Sequence, residues 1–211
     1  MIGEGSLLIF VSASLALLLI PGPAVLYIIT RSLSQGKKAG LVSVLGIEVG
    51  SLVHVTAAAL GLSALLLRSS ALYSAVRYLG AAYLVSLGIR RLIEPATPLP
   101  AEVGPVRSLP RIFWQGVVVN VLNPKTALFF FAFLPQFVDP GRGHVALQVV
   151  LLGLLFVGMA TCTDSGYALL SGTLRGVLAR SRIYPATQRY ATAAVYIGLG
   201  VGAAVSGAKG K

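Results

Sequence analysis

The chain has 211 residues, of which 56% are hydrophobic and only 11% charged, against about 25% charged in an ordinary soluble domain. So much apolar surface cannot be hidden in one core of this size, so lipid must be the solvent for much of the chain and a folded soluble domain is excluded. The net charge of +11 would suggest a nucleic-acid binder in a soluble protein, but here the basic residues lie between apolar runs. They read as topology signals and contacts with anionic lipid, with no nucleic-acid partner implied.

In chain order the apolar segments are 6–30, 39–67, 71–89, 112–137, 145–173 and 190–206. Each approaches the ~20 apolar residues that cross the hydrocarbon of a bilayer. The pattern predicts an all-α membrane protein of six transmembrane helices. The start of the first segment has Glu4 in place of a basic region and stays apolar through Pro21-Gly22-Pro23, so it reads as a retained helix and not a signal peptide. Arg77, in the third segment, can snorkel from near an end.

The first, third and fifth loops carry Arg31, Lys37 and Lys38; Arg90, Arg91, Arg107 and Arg111; and Arg175, Arg180, Arg182 and Arg189. The opposite side carries fewer basic residues: Arg68, Arg77, Arg142, Lys209 and Lys211. By the positive-inside rule both termini lie outside the cytoplasm of a multi-pass inner-membrane protein. The longest loop, 91–110, holds Pro95, Pro98, Pro100, Pro105 and Pro110, which disfavour helix and leave an extended linker. It divides a single transport domain into halves of three helices each, 1–90 and 111–211. An odd number of helices per half makes homologous halves inverted.

Two coincidences relate these halves. Pro21-Gly22-Pro23 lies in the first helix and Asn123-Pro124 in the fourth, the leading helix of each half. Proline removes a backbone donor and clashes with the preceding turn, and the freed groups must then face protein or a water-filled cavity. Membrane helices also tolerate single prolines as simple kinks. A Pro-Gly-Pro matched by an Asn-Pro points instead to functional breaks at Pro21, Gly22, Pro23 and Pro124, the signature of a transporter's central site.

The second coincidence concerns charge. Of the six acidic residues, Glu4, Glu94, Glu102 and Asp139 lie near ends or in loops, whereas Glu48 and Asp164 lie inside the second and fifth segments. A carboxylate at mid-membrane costs about 2.5–3.5 kcal/mol on insertion scales, and residues kept at that cost usually move ions or substrate, or else pair structurally. Both are candidates for binding substrate or protons. Lys125 follows Asn123-Pro124 inside an apolar run. It either pairs with one of these acids, receives a substrate carboxylate or snorkels to an interface.

His54 lies six positions after Glu48, off its helix face, and is expected to pack or to hydrogen-bond between helices. Gly40, Gly46 and Gly50, together with the glycines from Gly158 to Gly172, suit close helix approach, and Cys162 reads as buried filler. With one cysteine no disulfide framework exists.

Pro21-Gly22-Pro23, Arg31 and Gly36-Lys37-Lys38-Ala39-Gly40 leading to Gly46 and Gly50 resemble the opening of the LysE/RhtB family of amino-acid exporters. The run Asn123-Pro124-Lys125-Thr126-Ala127 to Phe133-Leu134-Pro135-Gln136-Phe137 resembles that family's second signature, and Asp164 with Tyr167 its Asp-x-x-aromatic feature. The linker 91–110 and the last helix match nothing in the family pattern. The resemblance implies efflux of amino acids or close derivatives, of the homoserine, threonine or lysine type. It further implies drive from the proton gradient with no other cofactor, and Glu48 and Asp164 near the substrate. A homodimer fits it without following from these residues.

A zwitterion held out of water needs a cation site and an anion site. The helix starts after Pro23 and Pro124 offer the first to a carboxylate, with Asn123 and Lys125 as further candidates, and Glu48 or Asp164 offers the second to the ammonium. Two alternatives remain. A divalent-metal exporter would use the two acids with a histidine or cysteine, although neither His54 nor His144 is spaced from an acid as a helical ligand pair. An intramembrane serine enzyme would need Ser165 or Ser171 to meet His54 from the other half. No catalytic or metal site is expected.

Overall fold

The computed structural model describes residues 4–93, 106–180, 189–190, 193–194, 197–198 and 200–201. Every regular element among them is helical. Helix α1 spans Glu4–Leu18, α2 Pro23–Arg68, α3 Ser70–Ile93, α4 Leu109–Val121, α5 Pro124–Leu128 and α6 Val145–Arg180. A π-helical turn, Phe129–Phe133, and a 3-10 turn, Leu134–Phe137, continue α5.

Two described helices, Pro23–Ala64 and Val145–Ser171, are long and apolar enough to cross a membrane, and three if the bent pair Leu109–Val121 and Pro124–Phe137 forms one span. Shorter apolar helices run over Gly5–Leu18 and Ala81–Arg90. Most of the expected sixth helix and residues 94–105 of the linker lie outside the described residues.

The loop expected around Arg31–Lys38 is helical on both sides of one residue. Gly36 adopts φ 81°, ψ 174° inside α2, a backbone conformation open to glycine. One residue turns the chain where several had been expected.

Helix α2 runs between α4 and α6. Its closest approach to α4 is at Gly46, where an added Cβ would overlap the Phe113 carbonyl oxygen, and at Gly50, where it would lie 2.8 Å from Asn120 Cβ. These two glycines serve the packing expected of them. Gly158 and Gly166 do not, since a Cβ on either meets nothing within 4 Å. Cys162, on the same face of α6, is exposed and not the buried filler expected. Helical position alone does not say which face meets a neighbour.

The apolar packing falls into two bodies. A larger one joins Phe10, Leu62, Phe129, Phe130, Phe133 and Phe156. A smaller one joins Ala24, Ile28, Val44, Ile47 and Ala168. A polar layer lies between them.

Candidate functional site

That layer is built on two interruptions in the helices. The chain leaves α1 after Leu18 and re-enters helix at Pro23, and it leaves α4 after Val121 and re-enters at Pro124 with a 48° bend. Pro23 and Pro124 have no N–H, so the carbonyls four residues earlier, Leu19 and Asn120, lose their α-helical donors. Each is met by a side chain, and Asn120 O also accepts the Asn123 N–H at 3.0 Å. The Tyr167 hydroxyl donates to Leu19 O at 2.8 Å, and His54 Nε2 lies 3.0 Å from Asn120 O. A carbonyl only accepts, so His54 carries its proton on Nε2 in this contact. The ring stacks on Phe130 at 6.0 Å. His54 thus has the interhelical bonding role expected of it.

Asn120 is the hub of the second interruption and is buried to 1% exposure. Its amide donates to Ile47 O at 2.7 Å and Ser51 Oγ at 2.8 Å. Its Oδ1 accepts from Thr126 Oγ1 at 2.8 Å and from Asn123 Nδ2 at 3.4 Å. The sequence reading picked out Asn123 and missed Asn120. The available signal was its position four residues before a proline, which marks a carbonyl that loses its α-helical donor.

Asn123 is buried, but its side chain turns back on its own chain, where Oδ1 accepts from the Lys125 N–H at 3.1 Å. The amide expected to wait on a ligand after Pro124 is therefore already capped, as at any Asn N-cap.

The two interruptions meet. Lys125 Nζ donates to Ile20 O at 2.5 Å, and its stem lies across Gly22, where an added Cβ would be 3.0 Å from Lys125 Cδ. Between them opens a cavity of about 40 Å³ lined by Glu48, Asn123, Lys125, Asp164, Phe156 and Ala160, among others. Glu48, Asn123, Lys125 and Asp164, distant in sequence, share this one space, and Gly22 lines it too.

Glu48 and Asp164 are 6% and 4% exposed, so neither is solvated from the protein's exterior. They are near enough to repel one another, and Lys125 near enough to Asp164 to attract it. Neither Glu48 oxygen makes a well-formed hydrogen bond among the described residues, although the Ser51 hydroxyl lies within its electrostatic reach. Two acids and one ammonium thus face a cavity with apolar walls. That arrangement suits a small molecule with charges of both signs.

No group of three His, Cys, Asp or Glu side chains suited to a metal occurs among the described residues. His54 is engaged with Asn120 O and Cys162 faces outward, so neither joins the acids.

The sequence model of the family described as LysE type translocator matches residues 15–207. An uncharacterized membrane protein of Vibrio cholerae is 31% identical over 156 residues, covering 74% of this chain and 76% of that protein. The homoserine/homoserine lactone efflux protein of Salmonella typhimurium is 29% identical over 162 residues, 77% of this chain and 78% of that one. The leucine efflux protein of the same organism is 29% identical over 164 residues, 77% of each chain. No solved structure matches.

Proposed function

The chain belongs to the LysE type translocator family, and from that premise we propose that it exports amino acids or close derivatives across the cytoplasmic membrane by proton antiport. The observation that carries this reading is the convergence of Glu48, Asp164 and Lys125 on one cavity between two helix interruptions. The efflux proteins of Salmonella typhimurium, named for leucine and for homoserine, support the substrate class.

In this reading the substrate carboxylate meets the Lys125 ammonium, and its own ammonium meets Asp164 or Glu48. A proton arriving from the outer side neutralises the acid, loosens the ammonium and releases the substrate outward. The cavity, at about 40 Å³, holds a few waters, so an amino acid enters only when its walls part. Two inverted halves of three transmembrane helices, 1–90 and 111–211, broken at Pro21–Pro23 and at Pro124, supply that motion by rocking. In this reading the end that carries Arg31, Lys37, Lys38, Arg107 and Arg111 faces the cytoplasm, with both termini outside, in keeping with the positive-inside rule.

The alternatives lose ground for separate reasons. Membership in a translocator family removes the intramembrane enzyme. The metal exporter is left with two acids that neither histidine nor cysteine joins.

The test is uptake of labelled amino acids into everted vesicles, with and without a proton gradient. Gradient-dependent accumulation of one class is the expected result and names the substrate group. Glu48→Gln or Asp164→Asn should abolish that accumulation, and its survival in both variants would end the proton-antiport reading. With insertion verified and no amino acid accumulating, divalent cations become the next substrates to assay.

A further inference from the structure

The last carbonyls of α1 need donors from outside their own helix. Leu19 O loses its donor to Pro23, and Ile20 O faces the interruption. Inside a membrane an unsatisfied carbonyl is expensive, because no bulk water replaces the missing donor. Both carbonyls are met by side chains from the second half of the chain: Leu19 O by Tyr167 of α6 at 2.8 Å, and Ile20 O by Lys125 of α5 at 2.5 Å.

The two donors differ in kind. Tyr167 offers a neutral hydroxyl, which has no reason to leave a carbonyl for a charged ligand. Lys125 offers an ammonium at the cavity wall, and a carboxylate is a stronger acceptor for it than a neutral carbonyl. Its aliphatic stem is seated on Gly22, the one position in that interruption without a side chain, so the ammonium swings on a stem already docked against the end of α1.

We propose that Lys125 is a latch between the two helix interruptions, and that a carboxylate entering the cavity opens it by drawing the ammonium away from Ile20. The end of α1 then loses its tie to α5 while keeping the one from Tyr167. Occupancy of the cavity becomes coupled to parting of its walls. The identity of the carboxylate rests on the amino-acid reading above; the latch itself rests on the two hydrogen bonds and the seat at Gly22. Lys125 acts here as a positioning residue, through α1.

The experiment uses the full chain in proteoliposomes, with Cys162→Ser to remove the exposed native thiol and Leu17→Cys as a reporter in the cavity wall, where Leu17 is 3% exposed. The rate of labelling by a water-soluble maleimide is measured alone, with L-leucine, and with leucinol, which keeps the amine and side chain but lacks the carboxylate. Leucine should speed labelling and leucinol should not. Lys125→Met should label about tenfold faster without any ligand, the effect of losing one charge-assisted hydrogen bond, and leucine should add nothing. Gly22→Ala, which displaces the lysine stem and keeps its charge, should move labelling the same way by a smaller factor. This second variant decides the matter if Lys125→Met does not purify as a monodisperse species.

Labelling of both variants at the parent rate overturns the latch, whatever leucine does. Fast labelling of the variants with a parent that leucine does not speed keeps Lys125 as the tie between the interruptions and overturns its opening by this amino acid.

Discussion

The regions on the two sides of the cavity are held by different kinds of contact. Toward the N-terminus of α1 the packing is aromatic. Phe10 lies 5.8 Å from Phe129 and 5.2 Å from Phe137, and Phe129 stacks on Phe156 at 4.0 Å. Toward the basic end the contacts are polar bonds and glycine approaches. Tyr27 donates to Ile112 O at 2.8 Å, the Gln35 amide pairs with both backbone groups of Arg107 at 2.6 and 2.7 Å, and α2 meets α4 through Gly46 and Gly116. Ring contacts are weakly directional, and rings can slide while keeping most of their dispersion energy. Hydrogen bonds and glycine contacts are lost over a few tenths of an ångström. One end yields gradually, and the other is either shut or open.

The largest test of that contrast removes a ring. Phe129→Ala should cost about 3–5 kcal/mol, since Phe129 is fully buried among Phe10, Phe133 and Phe156. Replacement by leucine should cost under about 1.5 kcal/mol, because the packing is set by volume. Thermal unfolding in detergent reads both, and equal losses for alanine and leucine would show that ring geometry matters at this end after all.

The next test adds one methyl group at the other end. Gly46→Ala places a carbon on the Phe113 carbonyl, which belongs to a helix backbone and cannot step aside as a side chain would. A loss of about 1–3 kcal/mol is expected, the range of overpacked sites. Gly158→Ala, with nothing within 4 Å of the added carbon, should leave the melting temperature unchanged. An equal response of the two variants would mean that α2 and α4 are not held at their glycines.

What could be read in advance follows from what is costly in lipid. Two prolines without donors and two carboxylates in apolar runs stand out because each needs a compensating partner. All of them line or border the one cavity or its interruptions. The compensating groups were harder to find. Asn120, Ser51 and Thr126 are uncharged polar residues of types common in membrane helices, and only the fold shows that they converge on one another. Glycines were the least legible. Gly50 and Gly158 sit in similar apolar runs, yet one touches a neighbouring helix and the other faces open space. Their difference arises from which helix packs where, and no local pattern carries that. The turn at Gly36 was read as a loop because Gly-Lys-Lys is polar, whereas a single positive φ kinks the chain with helix on both sides.

The smallest expected effect bears most directly on how the polar end opens. Gln35 binds Arg107 through both its carbonyl and its amide, pairing with one residue's N–H and C=O as a neighbouring strand would. Gln35→Met keeps the volume and removes both bonds, for about 1 kcal/mol at a half-buried site. Global stability should therefore barely move. Access should move more. With Val25→Cys as reporter in a Cys162→Ser background, labelling from the basic end should rise about fivefold, the equilibrium equivalent of that energy. Phe10→Leu should leave labelling from that end unchanged, because the ring it replaces closes the other. Gln35→Glu separates the two bonds: it retains the acceptor for the Arg107 N–H and loses the donor to the carbonyl, so its rate should fall between parent and Gln35→Met. If Gln35→Met labels at the parent rate, the Gln35–Arg107 ties are incidental and the basic end is held by the Tyr27 bond and the glycine contact between α2 and α4.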